Sequence, residues 1–503
     1  MRQFGVALLF AWNLCATSYK RPPTDCESPD KLVQDLRTEL SPAAAIYLPG
    51  SDEFEAATTR WSELDAPTPN VVVVPATEDD VAHTCTIQVH QANKCGLPIL
   101  AYNGVHGAIT TLGRMNRGVA ILLGQLSNVT VSQGGETATI GGGVLSKVVT
   151  DTLLASGKQT VTGTCECVSY LGPALGGGHG WLQGHYGLIS DQFVSMNVVL
   201  ADGTRQTIDS SSDLWWGIRG AGQNFGIVTS VTLKIYDIKD RDWAIDTLIF
   251  SGDKVEAVYE AANQHLSNLP VDVINWSYWL NMPDIDPEKP VILFYIIQEG
   301  VTVVDPVYTS PFRDIKPISS EPQSGSYSDL AAWTGIALDS PPCQKAGLAN
   351  PRFPIYLREY NVTAQREAYT SFAAYIGGAD SPFSNSIFMF EAYPQQGVRA
   401  IDSNSTAFAF RDDNLLVSPL LTYAPAGKEL DDQVEHMGDQ LRDIIYQGSG
   451  RKELHAYVNY AYGDEKPKNW YGYEQWRQDR LRSLKQKYDP KGKFSFYAPI
   501  ELK

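Results

Sequence analysis

A run of β-branched residues at 70–75 (Asn-Val-Val-Val-Val-Pro) predicts a strand buried on both faces. Thr77-Glu-Asp-Asp80 follows, a capping threonine with acids in the first helical turn. The helix it starts is expected to reach about Lys94, where Gly96 ends it. Residues 97–101 predict a second strand, which runs into the glycine-requiring turn Asn103-Gly104-Val105-His106-Gly107. Further strands are expected at Val119–Leu122, Val129–Val131 and 138–140, then a helix at 144–154 stopped by Gly157. After a glycine-rich stretch at 163–180 come a strand at 194–200, an Asp202-Gly203 hairpin turn and a strand at Arg205–Ile208. A short helix at 213–219 and a strand at 227–236 complete this first pattern.

A polar bridge at 238–242 ends the first lobe, and 243–450 reads as helices and β-rich runs with Pro/Ser-rich loops at 304–326 and 378–384. From 451 the pattern changes again. Tyr457-Val-Asn459-Tyr460 is strand-like, 473–488 is a charged helix with an aromatic and leucine stripe, and Asp489-Pro490 stops it. The chain of 503 residues is too long for one ordinary domain. The expected division is 1–18, 19–65, 66–240, 241–450 and 451–503, and the class is α+β.

Composition narrows the function. Apolar residues make up 43% of the chain, enough for a sizeable core. A net charge of −17 argues against nucleic acid or an anionic membrane as partner. Arg2, a short apolar run and Ala16-Thr17-Ser18 resemble a cleaved secretory signal, too short to span a bilayer. Four sequons, at Asn128, Asn275, Asn361 and Asn404, fit that route. Removing the signal leaves six cysteines, and an oxidising compartment would let Cys26 pair with Cys85 or Cys95.

The chemistry candidates gather around the glycines. Cys165 lies eleven residues ahead of Gly176-Gly177-Gly178, which reads as a backbone cradle with a covalent attachment point. The loop around His106 offers successive backbone N–H groups suited to a pyrophosphate. Gly220-Ala-Gly222-Gln-Asn-Phe-Gly226 fails as a dinucleotide fingerprint, because a helical segment precedes it and a strand follows. Cys165-x-Cys167 has no second ligand pair, so no metal is expected.

These motifs occur in one order. Gly104-Val105-His106 is followed by Gly163-Thr-Cys165-Glu-Cys167-Val168-Ser169 and Gly176-Gly-Gly-His-Gly180, then Tyr186-Gly187-Leu188-Ile-Ser-Asp191 and Ala201-Asp202-Gly203. Asp213-Leu-Trp-Trp-Gly-Ile-Arg219-Gly220, Phe225-Gly226-Ile227-Val228, Tyr457-Val-Asn459-Tyr460, Trp470-Tyr471-Gly472 and Lys485-Gln-Lys487-Tyr488-Asp489-Pro490 complete the series. The chain resembles the berberine bridge enzyme-like FAD-linked oxidases, of the p-cresol methylhydroxylase (PCMH)/vanillyl-alcohol oxidase FAD-binding fold, and within them the fungal members of secondary metabolism.

The resemblance implies a PCMH-type FAD domain at 66–240, a substrate domain with an antiparallel sheet covered by helices, and a C-terminal segment returning to the FAD domain. It implies FAD held covalently by His106 at the 8α-methyl and Cys165 at C6. The other cofactor-binding residues would be Asn103, Gly104, Val105, Gly107, Gly176, Gly177, Gly178, Gly226, Ile227 and Val228. Cys167 is a rival thiol, and Val105 and Ser169 depart from the family's glycines. The implied reaction is hydride transfer from a small alcohol, phenol or amine to the flavin, with O2 as acceptor and hydrogen peroxide formed.

The family's base position, on the strand after Ala407-Phe408-Ala-Phe-Arg411, holds only Asn414-Leu-Leu-Val-Ser-Pro-Leu-Leu. Tyr457 is the first choice of base, with Asn459 fixing its geometry. Glu391 and Tyr423 are weaker choices. An oligosaccharide oxidase is the alternative, with Trp276, Tyr278, Trp279 and Trp333 as aromatics of the substrate region. A non-redox flavin-bearing cyclase or binding protein is a second. A secreted monomer is expected, with no nucleic-acid or membrane partner.

Overall fold

The structure is a computed structural model that describes residues 29–95, 97–378 and 380–502. The signal at 1–18 and Cys26 lie outside the described residues. Among the described residues, eighteen strands run in chain order: β1 Ala45–Tyr47, β2 Val71–Val74, β3 Ile99–Tyr102, β4 Val119–Leu122, β5 Val129–Val131, β6 Thr137–Gly141, β7 Lys158–Gln159, β8 Phe193–Val199, β9 Arg205–Ile208, β10 Ile227–Lys234, β11 Tyr236–Asp237, β12 Trp243–Phe250, β13 Val273–Leu280, β14 Val291–Glu299, β15 Ser319–Gly325, β16 Ile355–Leu357, β17 Ile387–Ala392 and β18 Leu415–Leu420.

The first lobe holds two main sheets. One has the order β1-β2-β4-β3, parallel except for β1, and the other is antiparallel in the order β5-β6-β10-β8-β9. All four valines of β2 are buried, as a strand covered on both faces requires. The helix Glu78–Cys95 begins as its sequence predicts: Thr77 Oγ1 accepts from Asp80 N, and the Asp80 carboxylate accepts from the N–H groups of Ala76 and Thr77. Residues 29–65 are part of this lobe, because they supply β1 to the sheet.

The second lobe is one antiparallel sheet of seven strands, β15-β12-β14-β13-β17-β18-β16. Period-two alternation gives each strand two faces. Trp279, Phe388, Phe390 and Val417 enter a core with the helices Val255–Leu266, Val362–Ile376 and Lys428–Gly448. Trp276, Tyr278, Tyr295 and Met389 point the other way, toward the first lobe. The loop expected at 304–326 contains a helix, Pro306–Arg313, and the edge strand β15, paired to β12. The sequence of β15, Ser-Ser-Glu-Pro-Gln-Ser-Gly, is polar because an edge strand needs no apolar face, and that hides it from periodicity.

Three further expectations change. Tyr457-Val-Asn-Tyr460 is a helical turn, with Tyr460 N donating to Tyr457 O, so its side chains do not alternate. Cys85 is a buried free thiol, and the disulfide among the described residues joins Cys167 to Cys343 across the two lobes. Of the sequons, Asn275 is 5% exposed in the middle of β13 and is closed to a glycan, whereas Asn128, Asn361 and Asn404 are exposed. No described helix is long and apolar enough to cross a membrane.

Candidate active site

Between the lobes lies a cavity of about 980 Å³, at the upper end of the range for small-molecule and cofactor sites. One wall is loops of the first lobe: Asn103–Gly107, 163–173 and 226–228. The opposite wall is the inner face of the large sheet. Sheet register builds it. Tyr295, Trp276 and Glu391 stand side by side on β14, β13 and β17, and Leu293, Tyr278 and Met389 form the next row. The C-terminal turn closes one end with Tyr457, Asn459, Tyr460 and Tyr497.

Gly104 lets the 103–107 loop press on the 165–169 loop; a Cβ there would lie 3.0 Å from both Cys167 O and Ser169 N. Among the described residues, no acceptor meets the backbone N–H groups of 104–107. Val105 holds a left-handed φ of 51°, a conformation that disfavours a β-branched side chain. Arg60 donates to Gly107 O at 3.0 Å, and burial pushes its guanidinium down to about 10. A buried cation beside unspent N–H groups suits a phosphate-bearing group.

His106 stacks on Trp61, with ring centroids 4.2 Å apart. Its Nε2 lies 2.7 Å from Pro342 O, and a carbonyl can only accept, so Nε2 carries the proton. Nδ1 is left as the unprotonated nitrogen, with the residue's own backbone beside the ring. Burial, and then the nearby Arg352 charge, push the imidazole down to about 3, so it stays neutral. Cys165 Sγ and a ring nitrogen of His106 lie within 4.8 Å of each other. Burial pushes the Cys165 thiol up to about 11. Cys167 belongs to the same cluster, but its Sγ is bonded to Cys343, which removes it both as a rival thiol and as a metal ligand.

The triple glycine is not part of this wall. Gly176, Gly177 and Gly178 do not line the cavity. The N–H groups of Gly176 and Gly177 are spent on Pro173 O and Ala174 O. Cβ atoms on the three would meet Asn459, Phe408 and Ile189 at 2.3, 2.5 and 2.7 Å. The glycines are needed for a tight turn packed against protein, and the loop that presents unspent N–H groups to the cavity is 103–107. Gly226, Ile227 and Val228 do line the cavity.

Glu391 is 2% exposed. Its Oε2 accepts from the Tyr393 hydroxyl at 2.8 Å and its Oε1 from the Tyr460 hydroxyl at 2.9 Å. Burial pushes its carboxyl above the usual range, opposed by those two hydroxyls and by Arg352. Its direct neighbour on β18 is Leu416. The acid is therefore one strand over from the empty position that the sequence offers. Tyr457 Oη accepts from Asn459 Nδ2 at 2.7 Å and from His179 N at 3.3 Å, and burial pushes the phenol up to about 12. Tyr423 lies off the cavity and donates to Asp431. Of the four aromatics singled out, Trp276 and Tyr278 line the cavity, while Trp279 and Trp333 do not.

Sequence reasoning missed Trp61, Arg60, Pro342, Arg352 and Tyr393. It ranked Glu391 low, although a lone acid in the apolar run Ile-Phe-Met-Phe-Glu-Ala is itself a signal.

Comparison with known proteins identifies the architecture. Residues 69–209 match the FAD binding domain family, and residues 456–501 match the berberine and berberine-like family. The FAD-linked oxidoreductase chyH of Penicillium rubens is 57% identical over 99% of this chain and 100% of its own length. The chain belongs to the berberine-bridge-type FAD-linked oxidoreductases. FAD-linked oxidoreductase chry5 of Gibberella zeae is 54% identical over 92% of this chain and 94% of its own. Among solved structures, the wild-type BBE-like 1 protein of Physcomitrella patens superposes with a TM-score of 0.78 at 19% identity. It covers 94% of this chain and 100% of its own. The glucooligosaccharide oxidase of Acremonium strictum, described with a 6-S-cysteinyl, 8α-N1-histidyl FAD, has a TM-score of 0.75 at 18% identity, covering 93% of this chain and 99% of its own. The cavity's size, the unspent N–H groups and Arg60 fit FAD.

Proposed function

We propose that this oxidoreductase is a secreted oxidase of small organic alcohols, phenols or amines, with covalently held FAD and Glu391 as the proton sink. The observation that carries the reading is a buried carboxylate in the same cavity as His106 and Cys165, bonded by two tyrosine hydroxyls. Bound FAD supplies the hydride acceptor, and dioxygen the final oxidant, yielding hydrogen peroxide.

Each protein group then has one task. The 104–107 N–H groups and Arg60 hold the diphosphate. His106 Nδ1 and Cys165 Sγ provide the two attachment atoms, and the Pro342 carbonyl keeps Nδ1 unprotonated. Tyr460 is half-buried whereas Tyr393 is buried, so Tyr460 is the hydroxyl open to substrate. It takes the substrate's O–H or N–H proton while passing its own to Glu391, which leaves no phenolate in the site. Tyr457, the expected base, keeps its proton at neutral pH because burial raises it. With two donors already on its oxygen, it is a hydrogen-bond donor toward substrate, and Asn459 fixes its direction. A cleaved leader, glycans on Asn128, Asn361 and Asn404 and the lobe-bridging disulfide suit an oxidising secretory route.

Acid precipitation followed by mass spectrometry tests attachment. The pellet is expected to stay yellow, and the polypeptide mass to include FAD. Release of all flavin into the supernatant overturns covalent binding. Anaerobic mixing with candidate substrates should bleach the flavin; product formed with the flavin still oxidised overturns the oxidase reading.

A further inference from the structure

The cavity contains a cation whose hydrogen bonds are unmade. Arg352 lies between Pro351 and Phe353-Pro354, and its backbone bridges to Leu420 at the end of β18. Its guanidinium carbon lies 4.8 Å from the centre of the Trp61 ring and 4.2 Å from that of Tyr460. A guanidinium stacked on rings donates through its edge. Here that edge meets nothing: Nε is enclosed without a partner, and no described acceptor takes a hydrogen bond from the side chain. The interior arginines elsewhere have acceptors for their terminal nitrogens, although Nε of Arg411 and of Arg442 is also enclosed without a partner. Arg411 makes a two-pronged pair with Asp191, Arg442 binds Asp439, Asp464 and Glu465, and Arg477 donates to Thr406 O and Ser403 O. Arg60, the second arginine of the cavity, donates to Gly107 O.

A guanidinium that lines a cavity and has no protein acceptor keeps its terminal donors for a ligand, and a ligand that completes them gains accordingly. Two neighbours fix where that ligand lies. Trp61 also stacks on His106, and Tyr460 donates to Glu391. A group on the Arg352 edge therefore sits between the attachment residues and the proton acceptor. Beyond it are the rings of Trp276, Tyr278 and Tyr295. A neutral sugar offers hydroxyls and no charge; a flat molecule with a planar two-oxygen anion matches both the fork and the rings.

The geometry points to Arg352 as the recognition group for a carboxylate on the substrate, making the substrate class an aromatic or heteroaromatic acid with an oxidisable C–O or C–N centre. This rests on the oxidase reading above and narrows it. The charge fixes the acid end, and the rest of the molecule places its reacting carbon beside Tyr460.

The probes are benzoate, benzamide and benzyl alcohol, titrated calorimetrically into the flavin-loaded protein at low salt. Benzoate is expected to bind at least tenfold tighter than benzyl alcohol. Arg352→Gln should erase that preference and leave benzyl alcohol unchanged, and Arg352→Lys should keep only part of it, since lysine retains charge but not the fork. Equal binding of the three probes by the wild type overturns the proposal, as does a preference that survives Arg352→Gln. A third outcome overturns it too: Arg352→Gln shifts the flavin midpoint potential while benzoate affinity stays fixed, which gives the guanidinium to the cofactor. If Arg352→Gln does not fold, the wild-type panel and Arg352→Lys decide. Failure of the oxidase reading appears separately, as protein that carries no flavin or is never bleached.

Discussion

On one side of the cavity the chain presents backbone, and on the other it presents side chains. The wall proposed for the cofactor consists of short loops, with glycine where two of them touch, N–H groups left free, and His106 and Cys165 within 4.8 Å of each other. The wall proposed for the substrate is the face of a sheet, where Tyr295, Trp276 and Glu391 are neighbours only because three strands pair in that register. A fixed cofactor can be recognised by main chain, since its shape never changes. A substrate must be distinguished by side chains, and a sheet lets these be exchanged without disturbing the loops.

Variants of each wall should therefore behave differently. The largest effect is expected from Glu391→Gln, which should lower kcat by about 10³-fold while flavin content and melting temperature hold; a loss under tenfold would move the proton acceptor elsewhere. The same carboxyl sets a pH limb. Burial raises it above the ordinary 4.5, and only the ionised form accepts a proton, so kcat/KM should fall as pH drops through that raised value. In Glu391→Gln the limb should vanish.

Next in size is Gly177→Ala, where φ is +100° and a Cβ would lie 2.5 Å from Phe408. It should cost about 2 kcal/mol or more in urea unfolding, with the flavin content of the folded fraction unaltered. Loss of flavin from well-folded protein would return the triple glycine to the cofactor wall. Cys343→Ser should free Cys167, and peptide mapping should then find flavin on both Cys165 and Cys167; attachment confined to Cys165 would show that the disulfide has no part in the choice. The smallest effect belongs to Tyr423→Phe, which removes the hydrogen bond to Asp431. It should cost about 1 kcal/mol and leave kcat unchanged.

The same division explains what could be read from the chain. The strands around 71–74 and 119–122, the helix at 78–95 and the loop with His106 were legible, because each is a local pattern of apolar period, cap or glycine. The large sheet's active face was not. Glu391 and Trp276 are 115 positions apart and meet only through strand pairing. Arg352 gave no local signal either, since its rings come from Trp61 and Tyr460. The triple glycine misled for a related reason: glycine reports that something comes close, and here the close neighbour is the protein itself.

The Cys167–Cys343 bond joins residues 176 apart in sequence and draws the 341–343 turn over His106. It therefore imposes an order of assembly. The two lobes must have come together before the imidazole has its Pro342 acceptor, and two thiols must have been oxidised before Cys165 is left as the sole thiol beside it. With the flavin joined as proposed, selective attachment would require that oxidation come first, and the redox state of the compartment where the chain matures would act as a licence for loading. A chain that folds without that bond would offer the flavin three neighbouring thiols, at Cys165, Cys167 and Cys343, in place of one.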